Sequence, residues 1–112
     1  MKGLIIKPYW ADLILNGEKT IELRSSNTKI RGKIGIIKSG TKKIYGEIDL
    51  VDSVELTDDD YYNLSNEHKV NVRREDIPYK RIFGWKLENP IIYSEPKDYN
   101  HKKGCVIWVN ID

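Results

Sequence analysis

The sequence contains very little sulfur and imidazole: of its 112 residues, one is cysteine, one is methionine and two are histidine. Cys105 has no partner for a disulfide within the chain, and with His68 and His101 it makes too small a set for a Cys/His metal site. The longest apolar runs fall well short of the roughly 20 residues that a membrane-spanning helix needs, and a signal-peptide pattern is absent. We therefore expect a cytoplasmic protein without a metal, a cofactor or membrane contact.

The strong local signatures of enzyme families are also missing, including a nucleophile elbow, a glycine-rich phosphate loop and an HExxH motif. Net charge excludes little, because 19 Lys and Arg oppose 17 Asp and Glu. The charges are unevenly placed, however. Residues 19–43 hold eight bases and one acid, whereas residues 54–67 hold five acids and no base. One surface can therefore attract an anion although the whole chain is nearly neutral.

A chain of this length can bury its own core, so we expect one domain over residues 1–112 and a monomer. The hydrophobic periods predict strands at residues 3–7, 19–24, 32–38, 43–56, 82–87 and 104–111, and helices at about 8–16 and 57–68. Gly35 inside the third strand indicates a bulge or a close backbone approach. The alternation breaks at residues 51–53, which predicts a second bulge. Asn89 and Pro90 predict an interruption of the fifth strand.

The first predicted helix leads into an unusually polar strand. Pro8 suits the first helical turn, and Gly17 is a natural left-handed stop. After the stop the period changes to 2, so that Ile21 and Leu23 face one way while Thr20, Glu22 and Arg24 face the other. Such a row is commonly an ordinary solvated face. Because strands disfavour Lys and Glu, we also consider a binding role for it.

A bound single-stranded base needs an aromatic face, partners for its edge and positive charge for its phosphate. Arg24 and Lys38 can serve the phosphate, Glu22 can accept from an exocyclic amine, and Trp10 or Trp85 can stack. Core packing explains Trp10 and Trp85 equally well, and Trp108, among valine and isoleucine, is assigned to the core. His68 and His101 are expected at the surface. The predicted nucleic-acid-binding residues are Lys7, Trp10, Lys19, Thr20, Glu22, Arg24, Lys38 and Trp85.

Three motifs in order resemble the ASCH (activating-signal-cointegrator homology) domain family. Residues 7–24, KPYWADLILNGEKTIELR, resemble its opening motif, and residues 46–52, GEIDLVD, resemble its central strand. Residues 84–90, GWKLENP, and 103–108, KGCVIW, resemble its closing strands. The resemblance implies an α+β fold, a PUA-like mixed β-barrel of about six strands with two flanking helices. It also implies RNA or a modified nucleoside as the ligand, bound in a cleft between the first helix and the barrel.

An enzyme is the alternative that the resemblance leaves open. One branch of the family hydrolyses N4-acetylcytidine-type nucleosides with a Lys, a Thr three residues later and a helical Glu. Lys19 and Glu67 match that pattern, but position 22 is Glu rather than Thr. The Glu22 carboxylate could act as a general base on water, or could hold Lys19 protonated. Another branch resembles a ribonuclease, in which Lys19, Glu22 and Arg24 would polarise a phosphodiester. The alternative function is thus a small nucleic-acid-directed hydrolase using Lys19, Glu22 and Glu67.

Overall fold

The computed structural model of the protein describes residues 1–111. Its strands are β1 (Lys2–Ile6), β2 (Ile21–Arg24), β3 (Gly32–Lys38), β4 (Lys43–Leu56), β5 (Ile82–Asp98) and β6 (Trp108–Asn110). Its helices are α1 (Pro8–Leu15), α2 (Asp58–Asn63) and α3 (Ser65–His68), and a single 3₁₀ turn spans Arg74–Asp76. None of the helices in this part of the chain is long and apolar enough to cross a membrane.

The six strands form one mixed sheet in the order β2-β5-β4-β3-β1-β6. Strands β1 and β3 run parallel, with α1 in the connection that leads away from β1, and the other neighbours described are antiparallel. This confirms the predicted α+β class and the six strands. Over residues 1–111 the sheet does not close, however, because β2 and β6 are its two edges. The predicted barrel is therefore an open sheet.

The long β4–β5 hairpin tests the predicted irregularities of these two strands. The register shifts between Leu50 and Asp52, where the broken alternation predicts a bulge. The predicted interruption of the pairing at Asn89 and Pro90 is confirmed, since neither residue has a partner in the described β4–β5 register between Glu88 and Ile91. The predicted end of the strand at residue 87 is wrong, because β5 continues to Asp98. Asn89 takes a positive φ of 59° and the register shifts locally, so the ladder resumes beyond it. Gly46 permits the close approach there, because a Cβ on it would lie 2.3 Å from the Ile91 carbonyl oxygen.

The second helical region begins at an N-cap residue, Thr57. The Thr57 side chain accepts from the Asp60 N–H while the Asp60 carboxylate accepts from the Thr57 N–H, which is a complete capping box. The predicted helix at residues 57–68 is divided at Leu64 into α2 and α3. This division turns α3 towards β2, where the Glu67 carbonyl accepts from the Thr20 N–H at 2.9 Å.

Two apolar clusters lie on opposite faces of β2. Ile21 and Leu23 join a cluster with Leu56, Tyr61 and Ile82 beneath α2 and α3. The other face of β2 looks towards the larger cluster, which packs under α1. That cluster contains Leu4, Ile6, Ala11, Ile14, Leu15, Ile34, Ile36, Ile48, Leu50, Phe83, Trp85 and Leu87. Glu22 and Arg24 therefore project from a strand that is covered on both sides.

The end of the chain differs from the prediction. Strand β6 is confined to Trp108–Asn110, where the pattern predicts residues 104–111. Trp108 is half-buried rather than enclosed, and its ring stacks on that of Trp85 with centroids 5.7 Å apart. It packs against the core from the rim, because an edge strand of three residues has one neighbour, β1.

Candidate functional site

A cleft of about 480 Å³ lies where β1, the start of α1 and β2 meet the segment before β5. Residues 5–7 and Trp10 form one wall, and residues 22–24 form another. Residues 77–79 and Val106 border the same space. The walls come from elements distant in sequence, so the cleft exists only in the folded chain.

Three charged side chains meet on the inner side of this cleft, and we call Lys19, Glu22 and Arg24 the charged array. Arg24 donates from Nε at 3.1 Å and from Nη2 at 2.8 Å to one oxygen, Oε2, of Glu22. The Lys19 Nζ lies 3.6 Å from the other oxygen, Oε1. The Glu22 side chain is 8% exposed and the Arg24 side chain 18%. Two cations against one anion give the array a net positive charge in a poorly solvated place, where charge acts strongly on a ligand.

The array also ties together strands that are not neighbours in the sheet. Arg24 Nη2 donates to the Ile5 carbonyl of β1 at 3.3 Å, across the cleft from β2. The guanidinium carbon lies 5.5 Å from the centroid of the Trp85 ring, which lies beneath it. Arg24 is thus held in place from three sides, as a preorganised binding group requires.

Lys19 reaches the array from the turn between α1 and β2, where its N–H bonds the Leu13 carbonyl at 2.9 Å. It precedes β2, so the alternation of that strand does not force it to the opposite face. Its Nζ donates to the His68 carbonyl and lies 4.7 Å from the centroid of the Trp10 ring. Burial lowers the pKa of Lys19 to about 8, although the Glu22 carboxylate partly offsets this by raising it.

His68 holds this arrangement from behind, and its expected place at the surface is wrong. The residue is fully buried, with its ring stacked on Tyr61 at 4.7 Å. Its Nδ1 accepts from the Val70 N–H at 3.0 Å, so Nε2 carries the proton and donates to the Tyr61 carbonyl at 2.7 Å. Burial lowers the pKa of His68 as well, which favours this neutral ring. The histidine therefore fixes the end of α3, whose carbonyl meets Lys19.

The structure brings five of the eight predicted binding residues together. Lys7, Trp10, Lys19, Glu22 and Arg24 all line the cleft. Trp10 is half-buried, and its ring meets that of Tyr9, which is 65% exposed, edge to face at 4.8 Å.

The other three predicted binding residues lie elsewhere. Lys38 forms a 2.6 Å ion pair with Asp12 and lies over the Tyr45 ring at 4.2 Å. Thr20 is exposed, and its carbonyl accepts from the Leu87 N–H at 2.9 Å. Trp85 is 2% exposed, and its Nε1 donates to the Ser26 carbonyl at 3.1 Å. Trp85 therefore supports the site from the core and does not present a ring face to the cleft.

Glu67, the third predicted catalytic residue, lies on α3 outside the cleft wall. Its Oε2 is buried without a hydrogen-bond partner among the described residues. The cleft residues that the sequence did not single out include Ser39, Val70, Val106 and residues 77–79, which border the cleft from loops. Pro78 and Tyr79 carry no periodic pattern, so nothing local distinguishes them from other loop residues.

Comparison with known proteins adds a family and a set of related folds. Residues 4–108 match the ASCH domain family. The crystal structure of an ASCH protein from Zymomonas mobilis has a TM-score of 0.70 at 16% identity, covering 87% of this chain and 72% of that one. Two mutants of the same protein give TM-scores of 0.67 and 0.65, at 15% and 16% identity, over 87% of this chain and 74% and 72% of theirs. At these identities the likeness concerns the fold alone. The search of curated proteins gives no match.

Proposed function

Because the chain belongs to the ASCH domain family, which supports a nucleic-acid-related role, we propose that its cleft binds single-stranded RNA or a modified nucleoside within it. The observation that carries this proposal is the charged array, a buried group of net positive charge on the wall of the cleft. A phosphate-bearing ligand is attracted to such a group, and a neutral or cationic ligand is not favoured.

The size and lining of the cleft suit one nucleoside. About 480 Å³ lies within the range of roughly 300–1,000 Å³ typical of small-molecule sites. Trp10 supplies an aromatic wall for base stacking, and the exposed Tyr9 ring extends that wall towards solvent. Stacking on aromatic side chains is how proteins hold unpaired bases with little sequence preference.

The array offers separate groups to the base and to the phosphate. Glu22 Oε1 faces Lys19 at 3.6 Å, so it keeps capacity to accept from an exocyclic amine. Arg24 uses Nε and Nη2 for Glu22 and Ile5, while its Nη1 makes no hydrogen bond within residues 1–111. That nitrogen and the exposed Lys7 ammonium can both bind a phosphate.

The salt dependence of RNA binding tests this proposal. Binding of a short single-stranded RNA to the wild type should weaken as salt rises, because each phosphate contact releases counterions. Lys7→Ala should reduce the slope of log K against log salt by about 0.7, the share of one contact with a single strand. Lys29→Ala is the matched control, since Lys29 is exposed and outside the cleft wall. Salt-independent binding, undetectable binding at low salt, or an equal effect of both substitutions would refute the proposal.

A hydrolase using the same cleft is the second candidate, and one observation favours it. Lys19 is an amine with a lowered pKa beside the Glu22 carboxylate, a pairing that can activate water. Incubation with N4-acetylcytidine and with RNA, each followed for product, tests it. Turnover that falls by about 10²–10⁴-fold in Glu22→Gln, with binding kept, would favour the enzyme. Binding without product from either substrate would favour the binding module.

A further inference from the structure

Lys19 differs from the surface lysines because a ligand can reach its amine only through the cleft. It is 1% exposed, yet it lines the cleft. Other lysines of this chain, such as Lys7 and Lys29, are exposed. A reagent in bulk water therefore meets the exposed ammonium groups first, whereas a ligand seated in the cleft lies next to Lys19.

The surroundings of Lys19 favour its uncharged form more than those of a surface lysine do. Burial lowers its pKa to about 8, and the nearby Arg24 guanidinium also lowers it. At pH 7 roughly a tenth of an amine with such a pKa is uncharged, against about one in a few thousand for an ordinary lysine. An amine that a protein desolvates beside another cation is the usual form of a nucleophilic lysine.

The contacts of Nζ leave its lone pair available. The described residues place two acceptors around it, the His68 carbonyl and the Glu22 carboxylate. The Arg24 donors are directed at Glu22 and Ile5 instead. An uncharged amine that donates both of its hydrogens to these acceptors keeps an unshared electron pair. The same Glu22 oxygen, 3.6 Å away, can take up and return a proton.

We propose that Lys19 is an amine nucleophile that condenses, inside the cleft, with an aldehyde carried on a phosphate-bearing ligand. The ligand class rests on the proposed function, since a nucleic-acid strand offers such an aldehyde where a nucleotide has lost its base and its sugar ring opens. The reactivity of the amine rests on the geometry of Lys19 alone. Arg24 Nη1 and Lys7 would hold the phosphate while the small sugar aldehyde, with no base attached, reaches the buried amine.

The chemical step balances without any oxidant or reductant. The uncharged Lys19 nitrogen forms a bond to the carbonyl carbon, and the carbonyl electron pair moves to oxygen. A proton passes from nitrogen to that oxygen by way of Glu22, which gives a carbinolamine. A second proton transfer lets the hydroxyl leave as water, the C–O bond breaks, and the nitrogen lone pair forms the C=N bond. The products are one imine at Lys19 and one water.

Borohydride trapping tests the proposal, because the reagent reduces an imine to a stable secondary amine. The full chain is incubated separately with a single-stranded oligonucleotide containing one base-less nucleotide, with the intact oligonucleotide and with pyridoxal 5′-phosphate. Peptide mass mapping then locates the adduct. We expect the adduct at Lys19 at least tenfold above any other lysine, and no adduct with the intact strand. Lys19→Arg, which keeps the charge but lacks the primary amine, should abolish it, whereas Lys29→Arg should leave it unchanged.

Each outcome decides between the alternatives. Adducts spread evenly over exposed lysines, or no adduct with either aldehyde, would overturn the proposal, and the wild-type map gives that answer even if Lys19→Arg fails to fold. An adduct at Lys19 with pyridoxal 5′-phosphate but not with the base-less strand would support the amine chemistry and overturn the nucleic-acid source. Salt-dependent binding of the intact strand is measured in parallel. Binding that persists without an adduct would refute this inference and leave the proposed function standing.

Discussion

Replacing Glu22 by glutamine should destabilise the fold strongly, because this carboxylate is the anion that pairs with both Lys19 and Arg24 in a poorly solvated place. Lys19 is 1% exposed and the Arg24 side chain 18% exposed, so neither can turn fully to water when the negative charge is lost. Removing one partner of a buried ion pair typically costs about 3–5 kcal/mol. Glutamine keeps one oxygen as an acceptor for Arg24, and Arg24 is partly solvated. We therefore expect a loss of about 2–4 kcal/mol at pH 7.

This loss should depend on pH in a defined direction. Glu22 raises the pKa of Lys19, so the Glu22→Gln variant should have a Lys19 pKa below about 8. Above pH 8 the lysine becomes uncharged in both folded proteins, and the unfavourable unpaired charge disappears from the comparison. The difference in unfolding free energy between wild type and variant should accordingly shrink as the pH rises from the lower Lys19 pKa of the variant to about 8, and stay constant above that.

Urea unfolding and thermal melts at pH 7 and pH 9.5 measure both effects. At about 4–6 °C per kcal/mol for a domain of this size, the midpoint at pH 7 should fall by roughly 8–24 °C. Glu55→Gln is the matched control, since Glu55 is exposed and pairs with the exposed Arg81 at 2.5 Å. Its midpoint should stay near that of the wild type. If Glu22→Gln costs no more than Glu55→Gln, or if its cost does not change with pH, the account of the charged array is wrong.

Two further substitutions test the same region. The first is Lys19→Met. The pKa of Lys19 is about 8 in the folded protein and 10.5 in the unfolded chain, so between these pH values the folded protein binds fewer protons. The stability of the wild type relative to Lys19→Met should therefore rise by up to about 3 kcal/mol from pH 8 to pH 10.5. Parallel pH profiles of the two proteins in urea unfolding would contradict this. Trp108→Ala should cost about 2–3 kcal/mol, at or below the low end of the range for a buried tryptophan, because the ring is half-buried against Trp85. Thermal melts and the emission of the two remaining tryptophans, Trp10 and Trp85, check it, and an unchanged midpoint would show that Trp108 adds nothing to the core.

The positions of most elements follow from local patterns, because those patterns act over a few residues. Pro8 and Gly17 limit the first helix, and it ends at Leu15 with Asn16 as its cap. Thr57 and Asp60 begin the second helical region through a capping box, whose two hydrogen bonds join residues only three apart in sequence. The broken alternation at residues 51–53 likewise marks a bulge in the sequence itself.

Local sequence patterns predict only part of the candidate site. The sequence identifies Glu22 and Arg24 as one face of a strand. The structure shows that Lys19 reaches Glu22 from the turn before β2. The sequence treats Trp10 and Trp85 alike, since core packing and base stacking explain each of them equally well. The structure separates them through the pairing of Glu22 with Trp85 across β2 and β5, which places Trp85 beneath Arg24 and leaves Trp10 at the cleft.

The burial of His68 and the length of β5 were predicted wrongly for the same reason. Nothing within a few residues of His68 shows that Tyr61 will stack on it or that Lys19 will bind its carbonyl. Nothing near Asn89 shows that β4 will provide a glycine, Gly46, where the Ile91 carbonyl must pass. The sequence by itself determined where most helices and strands begin and which polar side chains share a face, but not how far β5 and β6 extend. The tertiary structure alone decided which of them are buried, since burial depends on partners that lie tens of residues away along the chain and that only sheet register brings into contact.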